Sequence, residues 1–252
     1  MTLIAFAGPS LPKADRSEFD RIEWRPPAEA GDLLRLNAGP GTTICLIDGY
    51  FDHRPAVRHK EILLLLSEGV RVFGASSIGA LRAAEMHGCG MIGVGAIFAA
   101  YARGTVQGDD EVALVHAGAD QDWRPFSIPL VDVRATLCRA RRREIIGRKE
   151  ARALLNAAAS IHYIDRDWQS VRAAAPGSAS SRAFETWLEG AVSQKHEDAV
   201  ACIRAAIEDA AVGRTRPQLV HTCFLNALAR ECGVDLEALR ESLRERPASI
   251  RE

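Results

Sequence analysis

Val70-Arg-Val-Phe-Gly-Ala-Ser-Ser-Ile-Gly-Ala-Leu-Arg-Ala-Ala-Glu85 decides how this chain is read. An apolar strand pattern runs into a turn of tiny residues, and a helix pattern begins directly after it. A strand that reverses straight into a helix crowds its own backbone, so small residues are required there. Gly79 and Ala80 let the helix pack closely and leave its first N–H groups facing an anion. Ser76 and Ser77 then stand at the positive end of the helix dipole. The order strand, turn, helix is that of a nucleophile elbow, although Ala75 replaces the first glycine of G-x-S-x-G. The ordinary alternative is a serine that caps the helix and does nothing more.

The preceding segment, Leu46-Ile-Asp-Gly-Tyr-Phe-Asp-His-Arg-Pro-Ala-Val-Arg-His-Lys-Glu-Ile-Leu-Leu64, repeats the pattern. Thr42 to Ile47 reads as a buried strand, Asp48-Gly49 ends it, and Val57 to Glu68 reads as a helix. At the amino terminus, Thr2 to Ala7 is a further strand that meets the turn Gly8-Pro9-Ser10. Strands alternating with helices predict an open, mostly parallel α/β sheet with flanking helices in the N-terminal half. In such sheets ligands bind beyond the carboxyl ends of the strands, which puts Asp48 and Ser77 on one rim.

Three strings carry a resemblance: Asp48-Gly49-Tyr50-Phe51 with Pro55, Val57 and His59-Lys60-Glu61-Ile62-Leu63; Gly74 through Glu85; and Asp109-Asp110-Glu111-Val112-Ala113. In this order they resemble the core of the TfuA-like proteins, over roughly the first half of the chain. Ile78 stands where that pattern has methionine, an exchange of one apolar side chain for another. The resemblance implies a role beside a YcaO-type ATP-dependent enzyme that converts backbone amides to thioamides in ribosomal peptide products or proteins. It implies that the chain delivers sulfur, by hydrolysing a thiocarboxylate at the C-terminus of a small sulfur-carrier protein. The alternatives are a non-catalytic activator of the YcaO enzyme and a generic serine hydrolase.

Thiocarboxylate hydrolysis is acyl transfer, which needs a nucleophile, a proton acceptor and donors for the developing oxyanion. Ser77 is the first candidate nucleophile and Ser76 the second, with the amides at the start of helix 77–87 as oxyanion donors. His59 and Lys60 are the candidate bases; adjacent helical residues point about 100° apart, so only one faces the serine. Asp48, on the same rim, completes the catalytic set. Arg82 and Glu85 are three apart on one helix, a spacing for an ion pair that holds a guanidinium near a carboxylate or thiocarboxylate. Asp110 and Glu111 are candidate orienters of the base. They precede a short strand pattern in which Val112, Leu114 and His116 share a face; three carboxylates before a strand are more often a solvated turn than a metal site. No metal and no cofactor are expected.

With a net charge of −1, the chain has no overall field to collect nucleic acid, although Arg139, Arg141, Arg142, Arg143, Arg148 and Lys149 gather at one helix junction. Its six cysteines are scattered, with no C-x-x-C pair and no zinc spacing. Cys89 lies between glycines, the only support for a persulfide role. The first strand is too short for a signal peptide and lacks a basic leader, and no run reaches membrane-spanning length, so a cytoplasmic protein is expected. After Pro129 strand signals give way to helical patterns at Leu130–Arg143, Lys149–Ile161, Ser181–Glu189, His196–Ala211, Leu219–Glu231 and Asp235–Leu243. The expected organisation is an α/β core over 1–126 followed by an all-helical subdomain over 127–252.

Overall fold

The computed structural model describes residues 2–36, 38–50, 54–175, 186, 188–209, 217–220 and 222–239. Five parallel strands form one open sheet: β1 (Thr2–Phe6), β2 (Ile22–Arg25), β3 (Thr42–Leu46), β4 (Arg71–Gly74) and β5 (Ile92–Gly93), in the order β2-β1-β3-β4-β5. The register pairs Phe6 with Leu46 and Leu46 with Gly74, so the central strands end level with one another. β3 is buried along its whole length, as expected of a parallel strand covered on both faces.

Alternation along the strands sorts the core into two layers. Ile4, Phe6, Ile44, Leu46 and Val72 face helices α2 (His59–Ser67) and α3 (Ile78–Met86), through Ile62, Leu65, Leu66, Ile78, Ala83 and Met86. Leu3, Ala5, Cys45, Ile47 and Phe73 face the other way, onto Ala199, Cys202, Ile203 and Ala206. Those four residues belong to helix α8 (Gln194–Glu208), so a helix from the C-terminal half closes the second face of the sheet. Its packing stripe is mostly small side chains, which brings the helix close to the strands. Helices α5 (Leu130–Arg142), α6 (Arg148–Ser160) and α7 (Trp168–Ala174) bury a separate cluster around Val133, Leu137, Leu154 and Val171. Further helices are α1 (Asp32–Arg35), α4 (Gly95–Ala102) and α9 (Cys223–Glu231).

The α/β class with a mainly helical C-terminal half is thus borne out. Strands β2 and β5 have no counterpart in the sequence expectation; both are short, and β2 alternates half-buried and exposed residues. The expected strand around Val112–His116 is instead a 3-10 turn at Asp109–Glu111 followed by an extended segment, bridged once at His116 to Pro125. The expected helix Ser181–Glu189 lies largely outside the described residues, as do the last four residues of Asp235–Leu243. Among the described residues no helix is long and apolar enough to cross a membrane.

Candidate functional site

The strand order 2-1-3 reverses direction between β1 and β3, the position where open α/β sheets leave a crevice. A pocket of about 300 Å³ lies there, and Asp48, Gly49, Ser77, Lys195 and the segment 112–118 contribute its walls. Asp48, 1% exposed, lies two residues beyond the end of β3. Its carboxylate accepts the N–H of Gly8 (2.8 Å), the N–H of Ser10 (2.9 Å) and the hydroxyl of Ser10 (2.6 Å), and so ties down the loop after β1.

Ser77 owes its position to a tight turn. Its N–H returns to the Ala75 carbonyl at 2.8 Å, which leaves Ser76 at the centre with φ 66°, a left-handed conformation that is costly for a residue with a side chain. No space is available to relax this turn, because a Cβ on Gly79 would meet the Leu46 carbonyl oxygen at 1.7 Å and one on Gly74 would meet the Gly79 oxygen at 2.2 Å. Helix α3 therefore sits directly on the ends of β3 and β4. Of the two serines, Ser77 reaches the pocket, whereas the Ser76 hydroxyl is buried without a hydrogen-bond partner among the described residues.

The basic group at Ser77 is Lys195. It is the second residue of α8, is 3% exposed, and its Nζ lies 3.1 Å from Ser77 Oγ and 2.9 Å from the Val112 carbonyl, with Asp48 Oδ1 at 4.0 Å. Burial pushes the lysine below its ordinary range, against the opposing pull of Asp48 and Asp132. Nζ donates to the Ser77 and Val112 oxygens; on losing its proton the amine can instead accept from the Ser77 hydroxyl, as a base does from a nucleophile. Asp132, from α5, accepts the backbone N–H of Lys195 at 3.1 Å and so fixes the start of α8. Burial raises its carboxyl to about 6, although the Lys195 N–H opposes the shift.

Amides at the helix start are only partly available for an oxyanion. The N–H groups of Ser77 and Gly79 point to the Ile47 carbonyl at 3.3 and 3.4 Å, and that of Ala80 returns to Ser77 at 3.0 Å. Ile78 and Gly49 keep N–H groups with no acceptor among the described residues. These two residues touch: a Cβ on Gly49 would lie 2.6 Å from Ile78 Cγ2.

The other sequence candidates lie elsewhere. His59 Nε2 meets Glu85 at 2.8 Å, and Arg82 binds the same carboxylate at 2.6 Å and the Val57 carbonyl at 2.7 Å. This trio occupies the flank of α2 and α3 and does not line the pocket; nor does half-buried Lys60. Glu111 is held by both arms of Arg134, at 2.8 and 2.6 Å, and Asp110 lies 3.9 Å from Arg166. Both brace the turn that leads into Val112, at a remove from Ser77.

Lys195 escaped the sequence reading, yet one signal marked it. A lysine in the first turn of a helix capped by Ser193 opposes the helix dipole. Such a local conflict calls for a reason elsewhere.

Residues 48–167 match the family described as TfuA-like protein. The chain thus carries a TfuA-like domain. No curated protein matches the chain. The TfuA-like segment contains Asp48, Ser77 and Val112, while Lys195 lies beyond its end. The candidate site of this TfuA-like protein is thus shared between the matched domain and a helix outside it.

Proposed function

We propose that this TfuA-like protein hydrolyses the C-terminal thiocarboxylate of a small sulfur-carrier protein, and that the hydrosulfide serves a YcaO-type enzyme in backbone thioamidation. The observation that carries the proposal is the contact of a buried lysine amine with Ser77 Oγ, 3.1 Å away in an open pocket. Lys195 takes the Ser77 proton as Oγ attacks the thiocarboxylate carbon. The N–H groups of Ile78 and Gly49 receive the oxyanion. The C–S bond then breaks, the proton leaves with sulfur as hydrosulfide, and the carrier's acyl group remains as an ester on Ser77. Water, deprotonated by Lys195, cleaves that ester and returns the serine and the carrier carboxylate. Asp48 acts by holding the β1 loop and by its charge near Nζ, because its carboxylate already accepts three hydrogen bonds.

The test is sulfide release from a purified carrier protein bearing a C-terminal thiocarboxylate. Ser77→Ala is expected to lose at least about a thousandfold in rate, with association with the YcaO partner unchanged. Release by Ser77→Ala at the wild-type rate sinks the hydroxyl mechanism and leaves association as the contribution of this chain.

A further inference from the structure

Residues 112–118 all line the pocket as one continuous segment, and its backbone groups divide into two sets. His116 and Pro125 form an antiparallel bridge. The groups on the bonded side are used: the Val115 N–H goes to Ser127 Oγ at 2.8 Å, the Val115 carbonyl accepts Phe126 N–H at 2.8 Å, and the Ala117 N–H goes to the Arg124 carbonyl at 2.9 Å. In an extended chain alternate residues point their N–H and C=O groups to opposite sides. Leu114 and His116 therefore present theirs away from 124–127, and the backbone groups of both find no partner among the described residues. At the start of the segment Val112, still in the helical conformation that ends the 3-10 turn, accepts Lys195 Nζ with its carbonyl. The segment that carries the open edge therefore begins beside the Lys195 amine and lines the same pocket as Ser77.

We infer that this edge binds an extended peptide as an added antiparallel strand, paired with the backbone of Leu114 and His116, so that the peptide's C-terminal acyl carbon arrives at Ser77. Only the direction of the peptide rests on the proposed acyl chemistry; the pairing stands on the edge itself. What the edge adds is the mode of recognition: the C-terminal tail of the polypeptide is read through its main chain. Leu114 and His116 are about 7 Å apart along a strand, so pairing engages every second residue of the tail. The Tyr50 ring, 6.0 Å from that of His116 and stacked under Arg54 at 4.5 Å, stands beside the outer end of the edge. Main-chain bonds give affinity in this mode, without a requirement for particular side chains.

The test is the binding of unmodified C-terminal peptides of one to five residues to the full chain and to its Ser77→Ala variant, followed by titration calorimetry or anisotropy. Affinity is expected to rise over the first four residues. Replacing a backbone N–H of the peptide by an ester oxygen is expected to weaken binding about three- to tenfold at every second position, the worth of one hydrogen bond, and to have no effect at positions between. Affinity that does not vary with length, or ester effects without alternation, overturns the inference. Because the readout is binding of a product-like carboxylate, failure of sulfide release alone leaves this test intact, and failure here leaves the hydrolytic proposal to its own assay.

Discussion

Helix α3 carries a polar cluster at each end, and the two clusters share hydrogen-bond lengths but little else. At its amino end Ser77, Lys195 and Asp48 are each 3% exposed or less. On its later turns Arg82, Glu85 and His59 make contacts of 2.6 and 2.8 Å, with side chains 14, 39 and 49% exposed. Water screens the second cluster, whose pairs are each worth about 0.2–1 kcal/mol. In the first cluster burial displaces the lysine downward, and a cavity gives an outside molecule access to the hydroxyl. A short distance between a base and its partner therefore does not mark a reactive site; desolvation combined with an opening does.

The sharpest way to break this contrast is to remove the amine. Lys195→Met keeps an unbranched chain of similar length in the buried slot and is expected to lower kcat/KM for sulfide release about a thousandfold, the usual scale of general base catalysis. If the rate is kept, the buried cluster is structural and the comparison collapses. Arginine is no substitute, since it keeps its proton throughout the working range.

Gly79→Ala attacks the geometry rather than the chemistry. The added methyl would stand 1.7 Å from the Leu46 oxygen, a backbone atom that cannot step aside. We expect a loss of about 3 kcal/mol or more, visible as a lowered Tm, together with displacement of Ser77.

Asp132→Asn sharpens the electrostatic side. The ordinary aspartate value of 3.8 rises to about 6 in the fold, so the stability gained from the protonated form is full below about 3.8 and is lost as pH rises through about 6. Relative to wild type, the neutral amide should gain stability across that window, by at most roughly 3 kcal/mol, as measured by denaturant unfolding at several pH values. Removal of a negative charge beside Lys195 also lowers the pKa of the amine further. The acid limb of the kcat/KM profile should move to lower pH, a shift that loss of the α8 cap alone does not produce.

Much of this fold was legible because its strands obey local rules. Leu3–Ala7 and Ile44–Ile47 are unbroken apolar runs, and Gly79 announced the close packing of helix on sheet. The serine was legible for the same reason. The amine beside it was not, because Lys195 lies 118 residues from Ser77 in the chain and no spacing rule connects a helix start to a turn that far upstream. His59 and Lys60 were attractive as the nearest basic residues in sequence, and helical periodicity could not tell which face would meet solvent. Val112 to His116 reads as a short strand because Val112, Leu114 and His116 share a face; in the fold a single bridge at His116 pairs it, which is why one edge stays open. The second face of the sheet was equally hidden. Helix α8 reads as one more amphipathic helix until the sheet's need for a cover is known.

The smallest expected effect comes from the exposed cluster. His59→Ala removes the ring from Glu85 but leaves that carboxylate with Arg82 at 2.6 Å. Half of the histidine side chain already faces water, so the change should cost less than about 1 kcal/mol in urea unfolding. Sulfide release should stay within about twofold of wild type, since no atom of this group lines the pocket. A loss comparable with that of Lys195→Met would instead make His59 the functional base, and would require α2 to move so that the exposed and buried clusters meet during turnover.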